Sequence, residues 1–251
     1  MNRQPKILLV GCGSMGSALI RGWLQSGWSN DDIKVIDPNE AARSVANSLG
    51  VGVTEKPSEK QQVDIIVFAL KPQVLAKTLP DYKKLVNHDR VFLTIAAGKP
   101  LKFYENFLGK EASIVRAMPN TPAAIRQGIT VLVGNTRVDS TQRASAEALM
   151  EAVGRVTWLD NEELMNAVTA ISGSGPAYVF LMIEALSKAG VEMGLGINLA
   201  EELALKTVAG AGALAASSDM PPAELRRLVT SPGGTTEAAL GVLMKDENLV
   251  T

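Results

Sequence analysis

Two hydrophobic rhythms divide the chain. From Lys6 to Trp158, short runs of consecutive apolar residues alternate with longer, more polar stretches. The runs are Lys6 to Val10, Ile33 to Ile36, Val63 to Leu70, Val91 to Ala96, Ser113 to Ala117, Gly128 to Val133 and Arg155 to Trp158. Near-continuous apolar runs of this length predict strands of a parallel sheet covered on both faces. Between them, helical spacing predicts helices through Ala18, Leu19 and Trp23, after Pro38, from Gln73 onward, and over Ser140 to Val153. From Asn161 on no strand pattern of any length remains. Helices are predicted over Glu162 to Ile171, Pro176 to Gly190, Asn198 to Ser217, Pro222 to Val229 and Thr236 to Lys245. The small residues between Ile171 and Tyr178 predict a break, with a restart at Pro176. The expected fold class is α/β: a doubly wound sheet over residues 1–159, then an all-α domain over 160–251.

Composition narrows the function classes. Of the 251 residues, 46% are hydrophobic and 20% charged, so the chain folds. A net charge of −1 and an aromatic content of 4% argue against nucleic acid and against an anionic membrane surface as partners. One cysteine forms no internal disulfide, which fits a reducing, cytoplasmic compartment. The apolar run Ile7-Leu8-Leu9-Val10 is too short for a signal peptide core. The stretch Ala177 to Gly190 is too short and, with Glu184 and Lys188, too charged to span a bilayer, and is expected to be a buried or interface helix. Val208-Ala209-Gly210-Ala211-Gly212-Ala213 places two glycines inside a predicted helix, where each costs about 1 kcal/mol against alanine. A tight helix–helix contact there, between subunits, is the expected compensation.

The chemistry begins at the end of the first strand. Gly11-Cys12-Gly13-Ser14-Met15-Gly16 is G-x-G-x-x-G placed after a strand and at the start of a helix, the context of a dinucleotide fingerprint. The first domain is therefore expected to be of Rossmann type. Asp37 ends the second strand, where an acid bonds the adenosine ribose or caps the helix after Pro38; both readings stay open. An acid there favours NAD over NADP, because a 2′-phosphate would meet its carboxylate; Asn39 and Arg43 follow it and are able to soften that repulsion. Ligands bind at the carboxyl ends of the strands, so Ala69-Leu70-Lys71-Pro72, Ala96-Ala97-Gly98 and Met118-Pro119-Asn120 belong on the cofactor side. Lys71 is expected to contribute backbone rather than a catalytic ammonium. Cys12 reads as a small filler without a redox partner, and His88, the only histidine, as a surface residue. No metal site is expected.

A second constellation lies near the far end, at Val229-Thr230-Ser231-Pro232-Gly233-Gly234-Thr235-Thr236. Bare glycine backbone runs into a predicted helix that Thr235 or Thr236 is placed to cap. Such a turn aims N–H groups and a helix N-terminus at one spot, which suits a small carboxylate.

In chain order, the glycine loop, Ala69-Leu70-Lys71-Pro72, Met118-Pro119-Asn120-Thr121-Pro122, Ser172-Gly173-Ser174-Gly175-Pro176-Ala177-Tyr178 and the Val229 to Thr236 loop resemble pyrroline-5-carboxylate reductases, over essentially the whole chain. The resemblance implies NAD(P)H-dependent reduction of 1-pyrroline-5-carboxylate to L-proline, the last step of proline biosynthesis. Hydride passes to the C=N carbon, with NADPH or NADH as cofactor. It implies that Val10, Gly11, Cys12, Gly13, Ser14, Met15 and Gly16, with Asp37 and Asn39, hold the dinucleotide. Ala69, Leu70, Lys71, Pro72, Ile95, Ala96 and Ala97 then line the nicotinamide, with Asn120 on the same side. Ser231, Gly233, Gly234, Thr235 and Thr236 hold the substrate, near Glu162 and Ser174, and Thr236 bonds the ring nitrogen. The helical domain becomes a dimerisation domain, each site joining one chain's cofactor to the other's substrate loop, and larger rings of dimers occur in the family. Members usually continue into another helix beyond Leu249-Val250-Thr251, and many carry a neutral or basic loop where Asp37 stands, so the family's usual preference for NADPH stays open here. Two other readings stay open. β-Hydroxyacid dehydrogenases use a catalytic lysine in a helical second domain, but Lys188 and Lys206 lie in no such motif. A non-enzymatic NAD(H) sensor would lack a second-substrate loop.

Overall fold

The computed structural model describes residues 4–59 and 62–245 and divides into two compact units, one ending at Pro176 and one beginning at Ala177. In the first, eight strands form one sheet: β1 (Ile7–Val10), β2 (Ile33–Ile36), β3 (Gly52–Thr54), β4 (Ile65–Phe68), β5 (Val91–Thr94), β6 (Ser113–Met118), β7 (Gly128–Gly134) and β8 (Gly154–Trp158). Their order is β3-β2-β1-β4-β5-β6-β7-β8. The order reverses at β1, which pairs in parallel with both β2 and β4, Ile7 lying opposite Ile33 and Ile65. Every residue of β1, β4 and β5 is buried, as the continuous apolar runs require of strands covered on both faces.

Alternation along β1 feeds two cores. Ile7 and Leu9 pack with Leu19, Trp23 and Leu149; Leu8 and Val10 pack with Leu75, Tyr82 and Tyr104. The covering helices are α1 (Ser14–Gln25), α2 (Glu40–Ser48), α3 (Pro72–Thr78), α4 (Leu101–Leu108) and α5 (Ser140–Glu151). Trp23 of α1 donates its indole N–H to the Leu149 carbonyl of α5 at 2.9 Å, so its one polar group is satisfied in the core.

Two strand features depart from the sequence pattern. β3 goes unannounced by hydrophobic pattern, being three residues at the sheet edge with no fully buried side chain. β6 and β7 pair antiparallel. Their link, residues 119–127, holds only a short 3₁₀ turn, and a parallel return needs a crossover of about a dozen residues or more.

The domain boundary expected after residue 159 does not coincide with the edge of the compact unit. Residues 160–176 belong with the sheet, because Met165 is fully buried in its core and Glu162 is bonded to two of its elements. The predicted break after Ile171 is corrected. After α6 (Met165–Val168) the chain takes a π-helical turn over Thr169–Gly173 and runs on into α7 (Gly175–Glu192). The Ser174 N–H reaches the Thr169 carbonyl at 2.8 Å, an i→i−5 bond that absorbs the glycines without ending the helix. The helical stretch Glu162–Glu192 is consequently long and apolar enough, by length and composition, to cross a membrane, so shortness no longer distinguishes it.

In the second unit, α8 (Ile197–Ser217), α9 (Pro222–Leu228) and α10 (Thr235–Leu243) follow α7. Among the described residues no strand follows β8. The close approach of α7 and α8 comes at Gly190, where a Cβ would stand 3.1 Å from that of Ala200. Among the described residues of the chain, the expected tight contact at Gly210 and Gly212 has no partner; a Cβ at either meets nothing within 4 Å. Large apolar side chains stay exposed along this unit, among them Phe180, Leu181, Leu205, Leu214 and Val242. Leu249 to Thr251 lie outside the described residues.

Candidate active site

The crevice at the β1/β4 switch point is built by three glycines with different duties. Gly11 takes φ +98° to turn the chain out of β1, and its N–H donates to the Ile36 carbonyl at 2.8 Å. A Cβ at Gly16 would lie 2.3 Å from the Gly11 carbonyl oxygen, so only glycine lets α1 start this close to the strand. At Gly13, the N-cap of α1, a Cβ meets nothing within 4 Å, and no side chain caps the helix. The first N–H groups of α1 are thus left without a side-chain cap behind bare backbone, a cradle that fits a pyrophosphate. Ser14 opens the helix, Met15 packs on the core, and Val10 is buried in β1.

Cys12 is buried, and its thiol is pushed up by that burial and by the charge of Asp37, with Arg21 opposing. A thiol so placed is a poor nucleophile at neutral pH. Its backbone N–H donates to Asp37 Oδ2 at 2.8 Å, and the Asn39 N–H donates to Asp37 Oδ1 at 2.8 Å. The cap of α2 is thus Asn39, whose Oδ1 accepts from Ala41 N at 2.8 Å, rather than Asp37. Arg43 is not free for a phosphate: its Nη1 donates to the carbonyls of Asp37 and Pro38 at 2.9 and 2.8 Å, and its Nη2 pairs with Glu55 at 3.2 Å.

The neighbouring strand ends complete the rim. Ala69 N–H donates to the Val10 carbonyl at 2.8 Å, and Lys71 is the N-cap of α3, with Pro72 in its first turn and its own side chain exposed. Ile95, Ala96 and Ala97 follow β5, with Ile95 N–H bonded to the Phe68 carbonyl at 3.1 Å. Asn120 follows β6, but its Oδ1 accepts from Ile129 N at 2.9 Å, so that oxygen serves the sheet.

The ends of β5 and β6 also carry polar groups whose pairing the motifs did not announce. Glu162 Oε1 accepts from Arg116 Nη1 at 2.9 Å and from Leu101 N at 2.7 Å. Thr94 and Tyr104 hydroxyls are bonded at 2.7 Å, and the Tyr104 phenol is pushed up to about 12, first by burial. The signal for Arg116 was present as a lone charge inside the apolar run of β6. Ser174 sits half-buried just after the π turn.

In the second unit, Gly234 and not a threonine is the N-cap of α10, without a side-chain cap. Gly234 N–H turns back to the Ser231 carbonyl at 3.1 Å, and Gly233 N–H donates to Glu237 Oε2 at 2.7 Å. Thr235 and Thr236 occupy the first turn, so their N–H groups lack a helical acceptor.

A doubly wound sheet with an open glycine cradle at its switch point, followed by helices, defines a nicotinamide-dinucleotide oxidoreductase. Residues 6–98 match the family described as NADP oxidoreductase, coenzyme F420-dependent, and residues 162–249 match pyrroline-5-carboxylate reductase dimerisation. A pyrroline-5-carboxylate reductase of Pseudomonas aeruginosa is 41% identical over 94% of this chain and 87% of its own. The solved reductase of Coxiella burnetii superposes with a TM-score of 0.88 at 36% identity, over 96% of this chain and 90% of that one. The Plasmodium falciparum enzyme, solved with NADP bound, gives a TM-score of 0.84 at 31% identity, over 95% and 89%. The chain belongs to the pyrroline-5-carboxylate reductase family.

Proposed function

We propose that the chain reduces 1-pyrroline-5-carboxylate to L-proline, the last step of proline biosynthesis, as a cytoplasmic homodimer using NADPH or NADH. The observation that carries this reading is the whole-chain likeness to reductases of that name, combined with a built dinucleotide cradle. The functional division follows residues 1–159 and 160–251, which the family match beginning at residue 162 supports.

When bound, the reduced dinucleotide supplies a hydride for the C=N carbon. The residues from Val10 to Gly16 hold its phosphates, Asp37 and Asn39 its adenosine ribose. Ala69 to Pro72, Ile95 to Ala97 and Asn120 shape the nicotinamide side. A cyclic imine is basic enough to arrive protonated, so the protein chiefly orients two reactants, and orientation contributes up to about 7–11 kcal/mol in the best intramolecular cases. N–H groups of Thr235 and Thr236 hold the substrate carboxylate, Ser231, Gly233 and Gly234 give the loop its shape, and the Thr236 hydroxyl bonds the ring nitrogen and relays its proton. Glu162 and Ser174 border the ring. The exposed apolar side chains of α7 and α8 are covered by a second copy rather than by lipid, as Glu184, Lys188 and Glu192 on α7 favour. Each site then joins one subunit's cradle to the other's loop, and dimers assemble further into a ring.

The test is oxidation of NADPH and of NADH by purified protein with 1-pyrroline-5-carboxylate at neutral pH, with proline identified as product. Turnover with either is expected. Protein that binds dinucleotide yet turns over neither would overturn the assignment.

A further inference from the structure

We propose that Asp37 makes this enzyme select NADH over NADPH, its carboxylate being locked at the adenosine-ribose position while Arg43 is already committed elsewhere. The inference rests on the dinucleotide reading above and concerns which form of the cofactor fits. Both oxygens of Asp37 are held by backbone N–H groups from two different segments, Cys12 in the glycine loop and Asn39 at the start of α2, each at 2.8 Å. The residue as a whole is only 9% exposed. Rotating it away would break both bonds, so stepping aside for a larger ligand carries the cost of two charge-assisted hydrogen bonds. Each carboxylate oxygen keeps a further lone pair, which suits the hydroxyl donors of an unmodified ribose. A 2′-phosphate brings no comparable donor and places like charge against it.

Acceptance of that phosphate requires a cation nearby. Arg43 is the cation that follows Asp37 along the chain, and its guanidinium is occupied by the carbonyls of Asp37 and Pro38 and by Glu55. Its charge is thereby turned toward the loop's own backbone and neutralised by Glu55. Glu40, in the first turn of α2, adds another acid to the same loop. The cation whose charge reaches Cys12 is Arg21, which stands exposed on α1, two turns beyond the glycine loop.

Calorimetric titration of the full chain with NAD⁺ and with NADP⁺, without imine, tests this. NAD⁺ should bind about tenfold tighter or more, the effect of one like charge at close range. Asp37→Ser should erase most of that ratio. Asp37→Asn should do so as well while keeping an oxygen for one backbone N–H, which separates charge from loop structure. Equal or tighter NADP⁺ binding by the parent protein, or an unchanged ratio in both variants, overturns the proposal. So does a selective loss of NADP⁺ affinity in Arg43→Ala, which would make Arg43 a phosphate clamp. Failure of both dinucleotides to bind would remove the dinucleotide site itself. Turnover of the imine with each cofactor, run on the same preparation, reports on the substrate reading separately.

Discussion

Arg116 Nη1 lies 2.9 Å from Glu162 Oε1, joining the lone charge of β6 to the helical turn that opens the family's dimerisation segment. The same oxygen caps α4 through Leu101 N at 2.7 Å, a helix whose own N-cap, Pro100, has no side chain able to do so. Arg116 is 5% exposed at its side chain and Glu162 26%. Glu162→Ala leaves a buried guanidinium and an amide unsatisfied together, and should destabilise the protein by about 3 kcal/mol. Glu162→Gln, which keeps an acceptor, should lose clearly less. Urea denaturation of the two variants decides; equal stability of Glu162→Ala and the parent would remove the pair from the fold's support.

Gly13 and Gly16 should answer substitution differently. A Cβ at Gly16 collides with the Gly11 carbonyl at 2.3 Å, whereas one at Gly13 meets nothing. Gly16→Ala is expected to lower the melting temperature and abolish dinucleotide binding. Gly13→Ala should change stability by no more than about 1 kcal/mol, as at an N-cap, yet block the approach of the phosphates. A melting curve with and without NAD⁺ separates them. Retained cofactor-induced stabilisation in Gly13→Ala would count against the cradle.

Thr236 carries the chemistry assigned to the second unit. Thr236→Ala should lower kcat/KM by one to three powers of ten, about 1.4–4 kcal/mol, mostly in kcat. Thr236→Ser, which retains the hydroxyl, should recover much of the loss. Unchanged kinetics in the alanine variant would exclude the hydroxyl from proton relay.

Stability should fall at alkaline pH. Burial raises the phenol of Tyr104 to about 12 and pushes that of Tyr82 up as well. An unfolded tyrosine ionises near pH 10, so above that the unfolded chain releases protons that the folded one keeps. The tyrosine contribution is complete below about pH 10 and lost as pH climbs toward the folded values. Comparing urea denaturation at about pH 8 and about pH 10.5 tests the sign, and Tyr104→Phe should flatten the slope. A slope unchanged in Tyr104→Phe would place the alkaline sensitivity elsewhere.

The sequence by itself determined the elements and the ends of the site. Continuous apolar runs are diagnostic when a strand is buried on both faces, which is why β1, β4 and β5 were legible and the three-residue edge strand β3 was not. The glycine loop was legible because each glycine answers a local backbone need, at Gly11 a positive φ and at Gly16 a close approach. Tertiary structure alone decided which polar group meets which. Asp37 turned out to tie the glycine loop to the start of α2 while Asn39 capped the helix, a division that residues two positions apart do not encode in their spacing. Arg43 spends its donors on carbonyls and Glu55, and Glu162 meets Arg116 across 46 positions of sequence. Hydrophobic pattern is a local, periodic property and survives in one dimension. The pairing of buried charges depends on which strand ends the sheet order brings together, and that order exists only in the folded chain.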